Sequence, residues 1–358
     1  MRFVLKTNYA QDVNLFLHNG QRFWYGLLAL AVLLAPLVLD RFYLGEFAFV
    51  YIWAIAGVGV MLLVGYTGLV SLGHAAFLAI GAYAHAWLLT QGVPFVLSVP
   101  LATAFCAFVG YIVGLPALRM TGIYLAIATL AFERIAAWVI EHWESVTGGH
   151  FGMRVPDPTV FGMSLDGPVP FYYLCLGILG LSLFAALNLL RSPTGRAFIA
   201  VRDSEVSAES MGINLARTKC TAFALSAAFT GLAGSLLSHR IGYLAPDAFT
   251  VQTSIQLLLM VVVGGLGSLQ GVVYGAIFLG LLPQAIAIGR DVLPQWIGEI
   301  PGLEPGIFGL ILVLFLIFEP LGIHGRWVKI RLWLDQFPLY RRATYKRQRS
   351  YLRTERVR

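Results

Sequence analysis

The chain has 358 residues, 58% of them hydrophobic and only 12% charged, with a formal net charge of +7. Soluble domains carry about 25% charged residues, so most of this chain is excluded from water and belongs in a bilayer. A hydrocarbon layer of about 30 Å takes roughly 20 apolar residues as helix, and backbone groups in lipid must pair within their own segment, so helices are the expected element.

Apolar runs mark ten spans, at 23–39, 47–65, 74–91, 95–117, 121–140, 170–190, 219–238, 254–266, 270–288 and 305–321. The first ends in Asp40 and Arg41 rather than in a small-residue cleavage site, and reads as a retained span instead of a signal peptide. With the N-terminus inside, residues 1–22, 118–120, 191–219 and 324 onward lie on the inner side. They carry three, one, five and eleven Lys and Arg respectively, against Arg41, Arg154, Arg240 and Arg290 outside and Arg134 within a span. This asymmetry places both termini in the cytoplasm and explains the positive charge with no nucleic-acid partner. The division is a cytoplasmic segment 1–22, a membrane domain 23–321 interrupted by a polar insert at 191–219, and a basic tail 322–358. The tail interleaves its basic residues with Trp327, Trp333, Phe337, Tyr340 and Tyr345, the composition of a helix lying on anionic lipid up to about Asp335.

Two glycine-rich passages resemble each other: GLVSLGHAAFLAIGAY from Gly68 and GLGSLQGVVYGAIFLG from Gly265, with Ser71 and Ser268 in register 197 residues apart. They suggest an internal duplication. A broken helix at Ser71, Gly73 and His74 would offer backbone N–H groups and a positive dipole end to a carboxylate; close helix packing through the small residues is the alternative. Ser268 and Gln270 take the same two readings. Glu133 and Arg134 lie deep in a span, where ionisable groups are costly. Arg134 is expected to pair with Glu133, to line a cavity or to meet a substrate carboxylate.

Glu141 to Pro170 is the longest outer loop, with Gly148, Gly149, Gly152 and four prolines, sharply turned and a candidate docking surface. Cys106, Cys175 and Cys220 sit in or beside apolar runs as small core residues. His85, His142, His150 and His239 show no HxxxH or His/carboxylate spacing, so no metal is expected, and no cofactor or catalytic residue is assigned. Lys occurs only at 6, 219, 329 and 346, never after glycine, so a GxxxxGK[ST] phosphate loop is absent and any ATP-driven step needs another polypeptide.

Within the insert, Asp203 or Ser204 can cap a helix of two or three turns and Gly212 can end it. Ser207, Ala208 and Met211 are expected to form its apolar face, with Glu205 and Glu209 flanking. This SEVSAESMGI core resembles the cytoplasmic coupling loop of bacterial ABC importer permeases. GYTGLVSLGHAAFLAIGAY, RMTGIYLAIATLAF, VTGGHFGM, SPTGRAFIAVRDSEVSAESMGINLARTK and TAFALSAAFTGLAGSLL then resemble, in order, the signatures of the LivM-type permease family over about residues 45–325. In that family TLAF is followed by Gly-Glu; here Glu133 and Arg134 follow.

The resemblance implies an all-α polytopic permease fold with about ten transmembrane helices in a bacterial inner membrane. It implies no enzyme activity, and coupling to ATPase through Ser204, Glu205, Ser207, Ala208, Glu209, Met211 and Gly212. The implied partners are a second, LivH-like permease subunit, two ATP-binding subunits and a periplasmic substrate-binding protein. The implied substrates are branched-chain or other hydrophobic amino acids, with urea, short amides or aromatic and hydrophobic carboxylates as the family's alternatives. A self-sufficient secondary transporter or channel fits less well, since ionisable residues within spans are few.

Overall fold

The computed structural model describes residues 19–120, 122–160, 163–164, 167–291, 303–319 and 321–336. Each sequence-expected span falls on a helix: α1 (Asn19–Val38), α2 (Arg41–Val60), α3 (His74–Thr90), α4 (Phe95–Gly114), α5 (Ile123–His142), α6 (Pro168–Arg191), α9 (Leu215–Ile241), α10 (Val251–Gly264), α11 (Leu269–Asp291) and α12 (Leu303–Phe318). The insert folds as α7 (Pro193–Asp203) and α8 (Glu205–Ser210), and α13 (Gly322–Gln336) follows the last apolar helix. Seven of the described helices are long and apolar enough to cross a membrane, counting α2 with its continuation to Tyr66 and α10 with the turn before it. The chain is therefore an all-α polytopic membrane protein. Two small ladders of two-residue strands involve the loop after α5, one of them pairing it with the residues after α9. β1 (Met153–Arg154) pairs with β4 (Tyr243–Leu244), and β2 (Thr159–Val160) with β3 (Met163–Ser164).

The core is built on α2 and α9, the most buried of the spanning helices, with α3, α4 and α10 packed around them. Hydrophobic burial does not drive association between helices in lipid, so close backbone approach and dispersion must. Small residues supply that approach at the α3–α9 crossing. A Cβ on Gly81 would lie 2.2 Å from the carbonyl oxygen of Gly231, and one on Gly234 would lie 2.1 Å from that of Leu78. The three cysteines are buried and free, as expected of small core residues. Polar tethers add direction: the Tyr51 and Tyr172 hydroxyls meet at 2.8 Å, and Tyr172 donates to the Val32 carbonyl, joining α1, α2 and α6.

The outer helices differ from this core. Only 28%, 28% and 22% of the most apolar stretches of α4, α5 and α6 are buried, so Leu97, Leu101, Phe105 and Phe108 of α4 project outward. That surface suits lipid or a second membrane subunit.

The residues of the polar insert form helices for local reasons. Ser192, Ser204 and Asn214 are the N-caps of α7, α8 and α9, and their side chains accept from the N–H groups of Gly195, Ser207 and Arg217. Of the tail, the described part is helical to Gln336, matching the expected helix; Phe337, Tyr340 and Tyr345 lie outside the described residues, as do residues 1–18.

Candidate functional site

The first glycine-rich passage does break a helix, between α2 and α3. The α2 backbone widens to a π-type turn over Met61–Tyr66 before the chain turns at Gly68, which has φ +76°. The freed polar groups then find partners inside the chain. Thr67 Oγ1 donates to the Leu62 carbonyl at 2.9 Å, and Leu72 N–H donates to Thr129 Oγ1 of α5 at 2.9 Å. Gly73 N–H points to Ser71 Oγ at 3.3 Å, and Ala75 N–H donates to Ser254 Oγ of α10 at 2.8 Å. His74 is 1% exposed, and its Nε2 lies 2.9 Å from Ser226 Oγ of α9. The N-terminus of α3 is thus occupied by side chains of its own protein.

The second passage breaks the chain between α10 and α11, with Gly265 at φ +114° and Gly267 at φ +80°. Ser268 Oγ caps α11 by accepting from Gly271 N–H. Gln270 is exposed, and its Nε2 donates to Tyr25 Oη of α1 at 2.7 Å, so it belongs to a helix–helix contact. The two breaks meet. A Cβ on Gly65 would stand 3.0 Å from Gly267 N, and that N–H points to Met61 Sδ at 3.2 Å. The start of α13 packs on the same place, with Gly322 and His324 against Gly265.

The polar insert reaches this junction. Arg202, near the end of α7, donates from Nη1 to the Gly65 carbonyl at 3.1 Å, and its aliphatic stem lies over Gly68. Its guanidinium also stands 3.6 Å from the Cβ position of Gly267 and is held from the other side by Asp203 Oδ1 at 3.0 Å. Next to it, Ser204 caps α8 and Gly212 leaves it at φ +84°, as the sequence predicts. The helix is shorter than the two or three turns expected, at six residues.

Its apolar face also differs from expectation. Ala208 is 2% exposed and turned into its own chain, whereas Val206 and Met211 project at 79% and 83%. Glu205 faces inward too, its carboxylate 2.8 Å from the ammonium of Lys219 on α9, which is buried. Glu209 and Ser207 are exposed. A cleft of about 340 Å³ opens between α8 and the start of α9, lined by Leu118, Glu205, Glu209, Ile213, Asn214 and Lys219. The outward surface of α8 is thus two apolar side chains ringed by polar ones, beside an acidic cleft.

On α5 the stripe Leu125, Thr129, Glu133, Ala136 and Ile140 is buried. Thr129 therefore fastens the first break from the same face that carries Glu133. Glu133 Oε2 has no hydrogen-bond partner and lies 3.4 Å from Arg134 Nε, whose side chain is 66% exposed. The Glu133–Arg134 pairing exists, but Arg134 points away from the core.

The loop after α5 is as sharply turned as its glycines predict: Gly148, Gly149 and Gly152 all have positive φ. Linear spacing shows no metal-type His/carboxylate pattern, yet the fold assembles one such group. Those turns bring His150 back to the end of α5, where it, Glu141 and His142 place ligand-type atoms within 4.8 Å of one another. Linear spacing gave no sign of this because the loop closes the gap.

The fold is thus a bundle of apolar helices with two abutting glycine breaks, to which the α7–α8 pair is keyed by Arg202. Residues 43–317 match the family described as branched-chain amino acid transport system / permease component, and the chain belongs to that family. It is 34% identical to the high-affinity branched-chain amino acid transport system permease protein LivM of Escherichia coli K12, over 84% of this chain and 74% of that one. It is 35% identical to the Salmonella typhimurium LT2 protein of the same description, over 76% and 67%. The autoinducer 2 import system permease protein LsrC of Enterobacter sp. 638 is 28% identical over 62% of this chain and 64% of its own. No solved structure matches the chain.

Proposed function

We propose that this chain is the permease half of an ATP-driven importer for branched-chain and similar hydrophobic amino acids. Its partners in this reading are a second permease of the same fold, two ATPase subunits on the inner face and an external binding protein. The substrate class rests on the LivM relatives, which are more similar and more fully covered than the LsrC relative. In this reading ten helices span the membrane and both termini, α7, α8 and α13 lie on the inner side, which the Lys and Arg asymmetry supports. The Trp327 and Trp333 region of α13 then lies against anionic headgroups.

The observation that carries the mechanism is Arg202. α7 and α8 form a unit that the Glu205–Lys219 ion pair fixes to α9, and Arg202 links it to the two glycine breaks. An ATPase that grips Val206 and Met211 of α8 and moves that unit would pull on Gly65 and press on Gly267. Alternating access needs an element with two arrangements that the partner can bias. The paired breaks, held by glycines with little side-chain volume, are that element.

Arg202→Ala should leave the complex assembled and its ATPase active while uptake of labelled leucine into proteoliposomes falls at least tenfold. Val206→Asp together with Met211→Asp should instead prevent ATPase subunits from co-purifying, because a desolvated unpaired charge is costly at an interface. Ala208→Arg is a test of folding rather than of docking, since Ala208 is buried within this chain. Full coupled transport by Arg202→Ala, or co-purification undiminished in the double variant, would remove α7 and α8 from the coupling role.

A further inference from the structure

We propose that the outer end of α5 carries a binding site for one divalent transition-metal ion of the zinc type, held by Glu141, His142 and His150. The donor set is two imidazoles and one carboxylate, which favours zinc and its neighbours over calcium or magnesium, whose sites are built from oxygens. Three protein ligands leave a fourth position for water.

The strongest indication is the orientation of His142. Its Nδ1 lies 2.9 Å from the Trp138 carbonyl oxygen, which can only accept, so Nδ1 carries the proton and Nε2 presents a lone pair. A backbone carbonyl fixing the tautomer of a histidine in this way is the usual support behind a metal-binding imidazole. The Trp138 ring stacks on His142 at a centroid distance of 4.5 Å and limits its rotation. His150 meets His142 edge-on at 5.5 Å.

The loop that delivers His150 is fixed before any ion arrives. Thr147 Oγ1 bonds to the carbonyls of Ile140 and Trp143 at 2.6 and 2.8 Å, and Gly149 N–H points back to the same oxygen. At the far end, Tyr243 Oη bonds to the Phe151 carbonyl, and β1–β4 pairing ties the loop to the end of α9. Bonds of about 2.0–2.1 Å put tetrahedral ligand atoms roughly 3.3 Å apart. The donors, now within 4.8 Å, reach that spacing by rotation of the exposed His150 ring and the Glu141 carboxylate toward the fixed His142. The ion would then clamp the loop to α5 at three points.

The test uses the full chain, purified without a polyhistidine tag, titrated with Co²⁺ and then with Zn²⁺ as competitor. One equivalent should bind, with the visible spectrum of a tetrahedral cobalt centre and displacement by zinc. Acidification should release the ion, because protons compete for the imidazole lone pairs. His150→Ala and His142→Ala should each weaken binding by more than about tenfold. Both side chains are exposed, so monodisperse folded protein is expected from each. His239→Ala, at a histidine outside the cluster, should change nothing. Absence of saturable binding, or binding that survives both alanine variants, would overturn the proposal.

Discussion

Between α2 and α3 the chain breaks with its polar side chains sealed: Thr67, Ser71 and His74 are each no more than 1% exposed and each is hydrogen-bonded. Between α10 and α11 it breaks with Leu266 54% exposed, under a cover made by Arg202 and the start of α13. The two passages look alike in sequence because both need glycine at positive φ and small residues for close packing. They differ in what surrounds them. The first is anchored to α5, α9 and α10 by side chains of the core and is touched by Arg202 at Gly65 and Gly68, whereas the second is covered by the start of α13 as well as by Arg202.

The comparison breaks most severely at Gly264. A Cβ there would lie 2.0 Å from the Gly271 carbonyl oxygen, backbone that cannot step aside without parting α10 from α11. Gly264→Val should cost about 3 kcal/mol or more, read as loss of monodisperse protein or a large fall in the unfolding midpoint in detergent. A variant as stable as the wild type would mean that the second break is loosely packed and that its cover does not depend on the helix contact beneath it.

The sealed character of the first break is tested at His74. His74→Ala removes the partner of a buried Ser226 hydroxyl and should destabilise the chain by about 2 kcal/mol, while His74→Gln, which can still reach that hydroxyl, should recover most of it. If His74→Ala were as stable as the wild type yet abolished uptake, the histidine would face the substrate path, and the packed arrangement would be only one of its states.

How far this contrast is legible in the chain follows from the kind of signal involved. Apolar length marks the helices, and Gly73 ahead of His74 marks the start of α3, because both are local. Ser204 and Gly212 likewise delimit α8 through capping chemistry alone. The inward turn of Ala208 is not legible, since a six-residue helix is too short for periodicity to assign a face. Nor is the bond from Arg202 to Gly65, which joins positions 137 apart. The Glu141, His142 and His150 cluster escaped for a related reason: two glycines at positive φ, Gly148 and Gly149, fold the eight-residue separation of the histidines onto itself, and spacing rules assume a regular element.

The smallest effect is expected at Glu133 and Arg134, on the α5 face that holds the first break and just beyond it. Their nitrogen–oxygen separation of 3.4 Å exceeds the 2.7–2.9 Å of a strong charge-assisted bond. At that separation the contact should contribute no more than about 1 kcal/mol, in the range of single polar contacts within membranes. Arg134→Ala and Glu133→Gln should therefore each leave the unfolding midpoint nearly unchanged, and in a double-mutant cycle their effects should add to within about 0.5 kcal/mol. A coupling energy above about 1 kcal/mol would show instead that the ion pair fixes α5 in place. The sealed state of the first break would then depend on a charge as well as on the hydroxyl of Thr129, and the two breaks would be more alike than their surroundings suggest.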